Sequence, residues 1–287
     1  MFAGVTHTLE QRDRWRRAAP RWRVHQGFVR ALTAPVSEAL LAAAKPAPGE
    51  TWLDVAAGVG DPAVSLVDRV APGGRVVMSD LVPDMLRAAR DNIRAEVGDR
   101  SGGLLPVAAA AEALPVKSVF DGVTCRFGAM FFGDPPVALS EIRRSLAPGG
   151  RTGFAVWGDR EQNPYFTEID GALRDVIPDL PVHEPDEPHV FRYSPSGKLA
   201  ALMETTGWVN VEELETPFTM SVAISASELW DHTVGLSVEV AGLVEELGAD
   251  RAAQLKSIFE RRVARYFPDG TMCMPAIARL VLARTPD

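Results

Sequence analysis

The chain has 287 residues, 46% hydrophobic and 24% charged, with 24 glycines and 22 prolines, an ordinary globular usage that excludes fibrous and disordered classes. A formal net charge of −8 argues against a chain built to coat nucleic acid. The longest uninterrupted apolar run, 39–44, falls far short of the roughly 18 residues a membrane span needs. Residues 1–5 lack the basic start of a leader, and two cysteines, Cys125 and Cys273, make neither a zinc cluster nor a disulfide framework. A cytoplasmic protein without membrane insertion is expected.

Residues 9–44 read as helical, with Leu9, Trp15, Trp22, Phe28, Leu32, Val36 and Leu40 apolar at helical spacing. Two prolines and a glycine in 45–50 break that pattern. A short strand is predicted at 51–55, a glycine turn at 58–61, and a helix opened by Pro62 that runs to 70. A strand at 75–80, a helix at 82–97 and strands near 104–108 and at 120–127 follow. A helix at 135–146 stops at Pro148-Gly149-Gly150, and another strand is predicted at 151–157. This alternation argues for an α/β fold with a parallel sheet covered on both faces. After Gly158 the character changes. Pro164, Pro178, Pro181, Pro185, Pro188 and Pro195 mark 159–195 as a long irregular excursion. A helix at 194–206, a strand from 209 to about 217, mostly helical structure over 226–266 and a final strand at 273–283 complete the reading.

The sharpest constellation is Leu53-Asp54-Val55-Ala56-Ala57-Gly58-Val59-Gly60-Asp61-Pro62. A turn without side chains at the carboxyl end of a strand lets a ligand approach the backbone and the next helix's N-terminus. Asp80, 20 residues after Gly60, ends the next strand, where an acid accepts hydrogen bonds from ribose hydroxyls. Gly58-Val59-Gly60-Asp61-Pro62-Ala63 also satisfies the dinucleotide pattern G-x-G-x-x-A, so a nicotinamide-dependent oxidoreductase is a rival. Against it, Asp54 would suit a positively charged ligand group better than a pyrophosphate. The lysines also lack a tyrosine four residues before them, and the regular units stop after Trp157.

These residues resemble the class I S-adenosylmethionine-dependent methyltransferases, in particular the branch of quinone-biosynthesis C-methyltransferases and many natural-product methyltransferases. The cofactor loop is matched from Leu53 to Asp61, with Ala56 where many members carry another glycine. Val77-Met78-Ser79-Asp80-Leu81 with Pro83-Asp84-Met85-Leu86 looks like the second motif. Ala111-Glu112-Ala113-Leu114-Pro115 and Phe120-Asp121-Gly122-Val123 resemble the third and fourth, and Leu146 to Arg151 the segment before the fifth strand. The resemblance implies a Rossmann-like sheet with a helical N-terminal lid (1–48), a cofactor-binding core (49–158) and a region (159–287) of substrate-facing insertions, helical before the last strand, plus the final strands.

It also implies S-adenosylmethionine as cofactor. Gly58 and Gly60 would face its methionine part and Asp80 its ribose, with Asp54, Ala56 and Leu81 also among the cofactor-binding residues. Met85 would pack on the adenine or remain a core methionine, and backbone groups near Ala111 and Glu112 would read the adenine edge. Ala109-Ala110 stand where many relatives carry Gly-Asp, so a side-chain contact to the adenine amino group is missing. Arg126 and Phe127 would border the donor methyl. Trp22 would close over the methionine end, following Trp15-Arg16-Arg17-Ala18-Ala19.

Methyl transfer is an in-line displacement whose reactivity the cofactor supplies, so the protein positions the acceptor and excludes water. A hydroxyl acceptor wants a base, whereas an activated carbon does not. The candidate catalytic bases are His232, in the helical insertion, and His25. His183 and His189 lie among Glu184, Asp186 and Glu187 in what reads as a wet loop, and no metal is expected. The acceptor is expected to be a small, hydrophobic, ring-containing metabolite, from the apolar residues Trp157, Tyr165, Phe166, Phe191, Leu229, Trp230, Leu236 and Leu243. The alternatives are the oxidoreductase and a methyltransferase-like fold that binds the cofactor without transferring methyl. The expected partners are the acceptor alone, without nucleic acid, in a monomer or homodimer. Of 30 basic residues only four are lysines, and seven arginines fall between 12 and 30. In a lid, Arg12, Arg14, Arg16, Arg17, Arg21 and Arg23 would flank the entrance as a solvated face, or hold a carboxylate or phosphate of the acceptor.

Overall fold

A computed structural model describes residues 2–98 and 103–287, with side chains described from residue 6 and not at 97. Met1, within the stretch read as lacking a leader, lies outside the described residues. In chain order the elements are α1 (Phe2–Ala44), β1 (Thr51–Val55), α2 (Ala63–Val70), β2 (Arg75–Asp80), α3 (Pro83–Val97), β3 (Leu104–Ala108), β4 (Phe120–Arg126), α4 (Pro135–Ser145) and β5 (Leu146–Trp157). They continue with α5 (Pro164–Val176), α6 (Lys198–Thr205), β6 (Val209–Val222), α7 (Ala226–Leu236), α8 (Val238–Val263) and β7 (Met272–Arg284). The sheet order is β3-β2-β1-β4-β5-β7-β6. β1 to β5 pair in parallel, and β7 runs antiparallel between β5 and β6. This is the Rossmann-like sheet that the resemblance implied.

The central strands are apolar without alternation because both faces are covered. Trp52, Met78, Leu66 and Ile93 are buried on one face with α2 and α3, while Val123, Phe154 and Ile142 join the larger core on the other. The order reverses at β1 and β4, so their carboxyl ends open a crevice where ligands bind in such sheets.

α1 does two jobs. Its C-terminal half buries Phe28, Leu32, Val36, Leu40, Leu41 and Ala44 against the sheet. The approach is close: a Cβ at Gly153 of β5 would meet Leu40 at 2.9 Å. Truncating a residue such as Leu40 to alanine costs about 2–5 kcal/mol by the usual cavity rule. The N-terminal half leaves the sheet and runs over the crevice, with Leu9 46% exposed. Over one window α1 is long and apolar enough to cross a membrane, and half of that window is buried inside the fold.

Three expectations need correction. Pro148-Gly149-Gly150 does not separate helix from strand: β5 starts at Leu146 and the turn is a register shift inside it, between Phe120↔Leu146 and Gly122↔Arg151. The excursion at 159–195 is not wholly irregular. Pro164 sits in the first turn of α5, where its missing N–H costs nothing, so that proline starts a helix. β6 continues past Pro217 to Val222, because Pro217 lies on an edge strand that tolerates a missing donor.

Candidate active site

A cavity of about 720 Å³ opens at the carboxyl ends of β1, β2 and β4. One side of its wall comes from those strand ends, the other from α5, the loop after it and α7 to α8, and α1 closes the top.

The strand ends are shaped by backbone conformations that few side chains tolerate. Ala56 (φ +54°) and Phe127 (φ +58°) are both left-handed, immediately after β1 and β4. Such strain in non-glycine residues gathers at functional sites. A Cβ at Gly128 would meet the Ala56 Cβ at 2.4 Å, so glycine at 128 makes room for the alanine that replaces the more usual glycine at 56. A Cβ at Gly60 (φ +108°) would lie 3.1 Å from Ile93 and 3.3 Å from Ala89, so glycine there lets the turn press onto α3.

Asp80 ties this loop together. One carboxylate oxygen accepts from the Gly58 N–H (2.9 Å) and the other from the Val82 N–H (2.8 Å). An ionised carboxylate has about four acceptor sites, so two remain for a ribose diol. Burial pushes its pKa up to about 6, against the lowering effect of those two N–H bonds. Asp54 is fully buried beneath the loop and is not part of the cavity wall. Its Oδ1 accepts from Thr124 (2.8 Å), while Oδ2 has no hydrogen-bond partner. Burial raises its pKa to about 7. This orphaned acidic oxygen below a glycine turn suits the ammonium group of an amino-acid moiety. The donor set therefore fits S-adenosylmethionine.

Met85, Leu81, Ala111 and Glu112 line the same end. Met85 is 3% exposed and clusters with Ala19, Val82, Trp15, Trp22 and Val59, so it is a core methionine that also reaches the wall. The Glu112 carboxylate accepts from Gly133 N (2.8 Å), Asp134 N (3.2 Å) and Thr8 of α1. Trp22 lines the cavity and donates to the Leu236 carbonyl (3.2 Å), fastening α1 to α7. Arg126 is 9% exposed, forms a 3.1 Å ion pair with Asp61, donates to the Asp61 carbonyl and bonds Thr33 of α1. It locks α1 to the glycine loop. Sequence reasoning missed Asp61 in this role, although an acid inside the glycine turn was the available signal. Phe127 stacks on Trp157 with centroids 4.3 Å apart.

Neither histidine chosen as a base, His232 or His25, lines the cavity. They bond one another, Nδ1 to Nδ1 at 2.8 Å, and His232 stacks on Phe28 at 3.9 Å. His25 does lie on the cavity stripe of α1, but α7 crosses there, and only a glycine at 235 leaves room for its ring. One residue after His232 along α7, Thr233 turns to the wall instead. Burial lowers the pKa of both rings. His183 and His189, read as wet loop residues, do reach the wall, with rings stacked 5.2 Å apart.

α5 presents Tyr165, Phe166, Ile169, Asp170, Leu173 and Arg174 to the cavity over three turns. Phe166 meets Trp157, Tyr165 and Phe191 edge to face, at centroid distances of 5.0, 5.0 and 5.2 Å. Of the apolar residues expected around the acceptor, Leu236 and Leu243 join these in the wall, whereas Leu229 and Trp230 are buried in the core. Of the N-terminal arginines only Arg14 lines the cavity, and it pairs with Glu239 (2.7 Å).

A profile of the ubiE/COQ5 methyltransferase family matches residues 38–165. The chain is 31% identical over 181 residues to the ubiquinone/menaquinone biosynthesis C-methyltransferase UbiE of Cupriavidus metallidurans, covering 60% of this chain and 72% of that relative. With UbiE of Paracoccus denitrificans the identity is 44% over 107 residues, which span 37% of this chain and 42% of that one. Among solved structures, YcgJ of Bacillus subtilis is similar at 17% identity and TM-score 0.55, covering 88% of this chain and 98% of that chain. Haemonchus contortus phosphoethanolamine N-methyltransferase 2, solved with S-adenosyl-L-methionine, shares the fold at 18% identity and TM-score 0.51, covering 88% of this chain and 52% of that chain. By its sequence relatives, the chain belongs to the ubiE/COQ5 methyltransferase family and is an S-adenosylmethionine-dependent methyltransferase.

Proposed function

We propose that the enzyme methylates a small, hydrophobic, ring-containing metabolite, at an electron-rich ring carbon rather than at a hydroxyl. The observation that carries this reading is the aromatic wall of Phe127, Trp157, Phe166 and Phe191, whose rings meet stacked or edge to face. Such a wall takes a flat ring. Carbon is favoured because the two histidines sought as bases bond each other away from the cavity. His189 accepts the Phe191 N–H at Nδ1 (3.1 Å), so in the neutral ring Nε2 carries the hydrogen and is a donor, not a base. The names of the UbiE relatives, C-methyltransferases of quinone biosynthesis, agree with this choice.

When bound, S-adenosylmethionine supplies the electrophilic methyl. Asp80 would hold its ribose, the loop from Ala56 to Gly60 above Asp54 its methionine part, and Leu81, Met85, Ala111 and Glu112 the adenine side. Arg126, Phe127 and Trp22 fix the wall beside it. Residues 1–48 act as the lid, 49–158 as the cofactor core, and 159–287 as the acceptor-facing region with the last strands. The reading has a cytoplasmic monomer or homodimer that engages neither nucleic acid nor the membrane interior, consistent with the net charge of −8.

The test is incubation of the protein with labelled donor and an extract of its source organism, followed by identification of the labelled product. A ring compound with new methyl on carbon supports the proposal. Cofactor binding with no labelled product in any extract would instead leave a fold that holds the cofactor without transfer.

A further inference from the structure

We propose that the acceptor carries a ring carboxylate, and that Arg160 and Arg174 bind it at the α5 end of the cavity. The proposal rests on the methyltransferase reading and adds the charge of the acceptor. Its basis is the distribution of charge around the wall. Near the cofactor loop, Asp61 and Arg126 neutralise each other (3.1 Å), and Asp80 and Glu112 remain as acids. That surplus complements a cofactor with sulfonium and ammonium groups. Under the lid, Arg14 and Glu239 neutralise each other (2.7 Å). At α5 the balance reverses. Asp170 alone faces two guanidiniums, Arg160 at 2.6 Å and Arg174 at 2.9 Å, and all three line the cavity.

The hydrogen-bond inventory points the same way. A guanidinium carries five N–H donors and no acceptor. Arg174 uses Nε on Asp170 and Nη1 on the Leu180 carbonyl (3.0 Å), and Arg160 uses Nη2 on Asp170. The remaining donors, on side chains 41% and 35% exposed, have the planar spacing that a carboxylate takes in bidentate fashion. His189, which also lines the cavity, adds a buried Nε2 without a partner. Given its tautomer, this is one more donor, placed to meet a ring oxygen. The aromatic residues Tyr165 and Phe166 precede Asp170 on the same helix face, so a ring lying on them would carry its anionic substituent towards the arginines.

The experiment starts by saturating the protein with S-adenosylhomocysteine, with occupancy measured by calorimetry. Failure at this step strikes the methyltransferase reading and with it this assignment. The loaded protein is then titrated with 1-hydroxy-2-naphthoate and with its neutral isostere 1-hydroxy-2-naphthamide. The expected result is at least tenfold tighter binding of the carboxylate, weakening as salt rises from 50 to 500 mM. The double variant Arg160→Gln, Arg174→Gln should bind the carboxylate no better than the amide, with S-adenosylhomocysteine affinity within twofold of wild type and an unchanged melting profile. Asp170→Asn, which removes the competing carboxylate, should tighten binding of the carboxylate several-fold, an effect a merely structural triad would not produce. Equal binding of the two probes to wild type, absence of carboxylate binding, or wild-type carboxylate affinity in the double arginine variant would each overturn the assignment.

Discussion

The two ends of the cavity are built by different means. The end assigned to the cofactor is made of backbone: strand termini in left-handed conformations, a glycine turn, and the Asp80 carboxylate, which accepts the Gly58 N–H of that turn and the Val82 N–H. The α5 end is made of side chains, with stacked aromatics and two arginines around one acid. A ligand that never changes is served by a site whose geometry the fold itself dictates. A ligand that differs from one enzyme to the next is served by side chains on segments outside the repeating βα units.

The largest effect should come from the contact that joins α1 to the glycine loop. Arg126→Ala leaves Asp61 buried without its partner, and breaking one side of a buried pair costs about 3–5 kcal/mol. Its melting temperature and its affinity for S-adenosylhomocysteine should fall together. A variant that melts like wild type would show that Arg126 does not couple the two. Next is Phe166→Ala, at the centre of the aromatic wall, which should raise the acceptor KM at least tenfold with little change in cofactor affinity. Loss of cofactor affinity in that variant would merge the two ends that the structure separates.

Asp54 gives a pH-dependent test of smaller size. Burial raises its folded-state pKa above the unfolded value, so the folded protein holds that proton more tightly. The resulting stabilisation is complete below about pH 4 and is lost as the pH climbs to about 7. Asp54→Asn, which can still accept from Thr124, should match wild type near pH 4 and exceed it at pH 8 by ~1–4 kcal/mol of unfolding free energy. The same variant should lose the rise in S-adenosylhomocysteine affinity that Asp54 ionisation gives wild type between pH 5 and 8. Equal stability at pH 8 would remove Asp54 from the account. Smallest of all, His232→Ala should leave kcat and KM within twofold of wild type, since its ring meets His25 and Phe28 rather than the cavity.

The asymmetry between the ends also explains what could be read from the chain. Turns such as Gly58-Val59-Gly60 and strand-end acids such as Asp80 carry their chemistry locally, so spacing alone marked them as candidates, and family membership then removed the nicotinamide alternative that the same glycines allowed. Asp54 was legible as an acid near the cofactor loop but not as a residue under its floor, because which side of a strand end faces the ligand depends on the neighbouring strand. His25 and His232 are 207 residues apart, and nothing local announces that a crossing of α1 and α7 seats them against each other. His183 and His189 read as solvent-facing for the converse reason: their proline-spaced loop folds back onto α5. Phe166 and Phe191 were legible as apolar but not as neighbours, since α5 itself was hidden by the proline that begins it.

The most direct measurement is calorimetric titration of S-adenosylhomocysteine into wild type, Asp80→Ala and Phe166→Ala, each checked for a folded melting profile. The account predicts a single site in wild type, affinity lowered at least a hundredfold by Asp80→Ala, and affinity within twofold of wild type for Phe166→Ala. Wild-type affinity in Asp80→Ala, or a comparable loss in both variants, would contradict it.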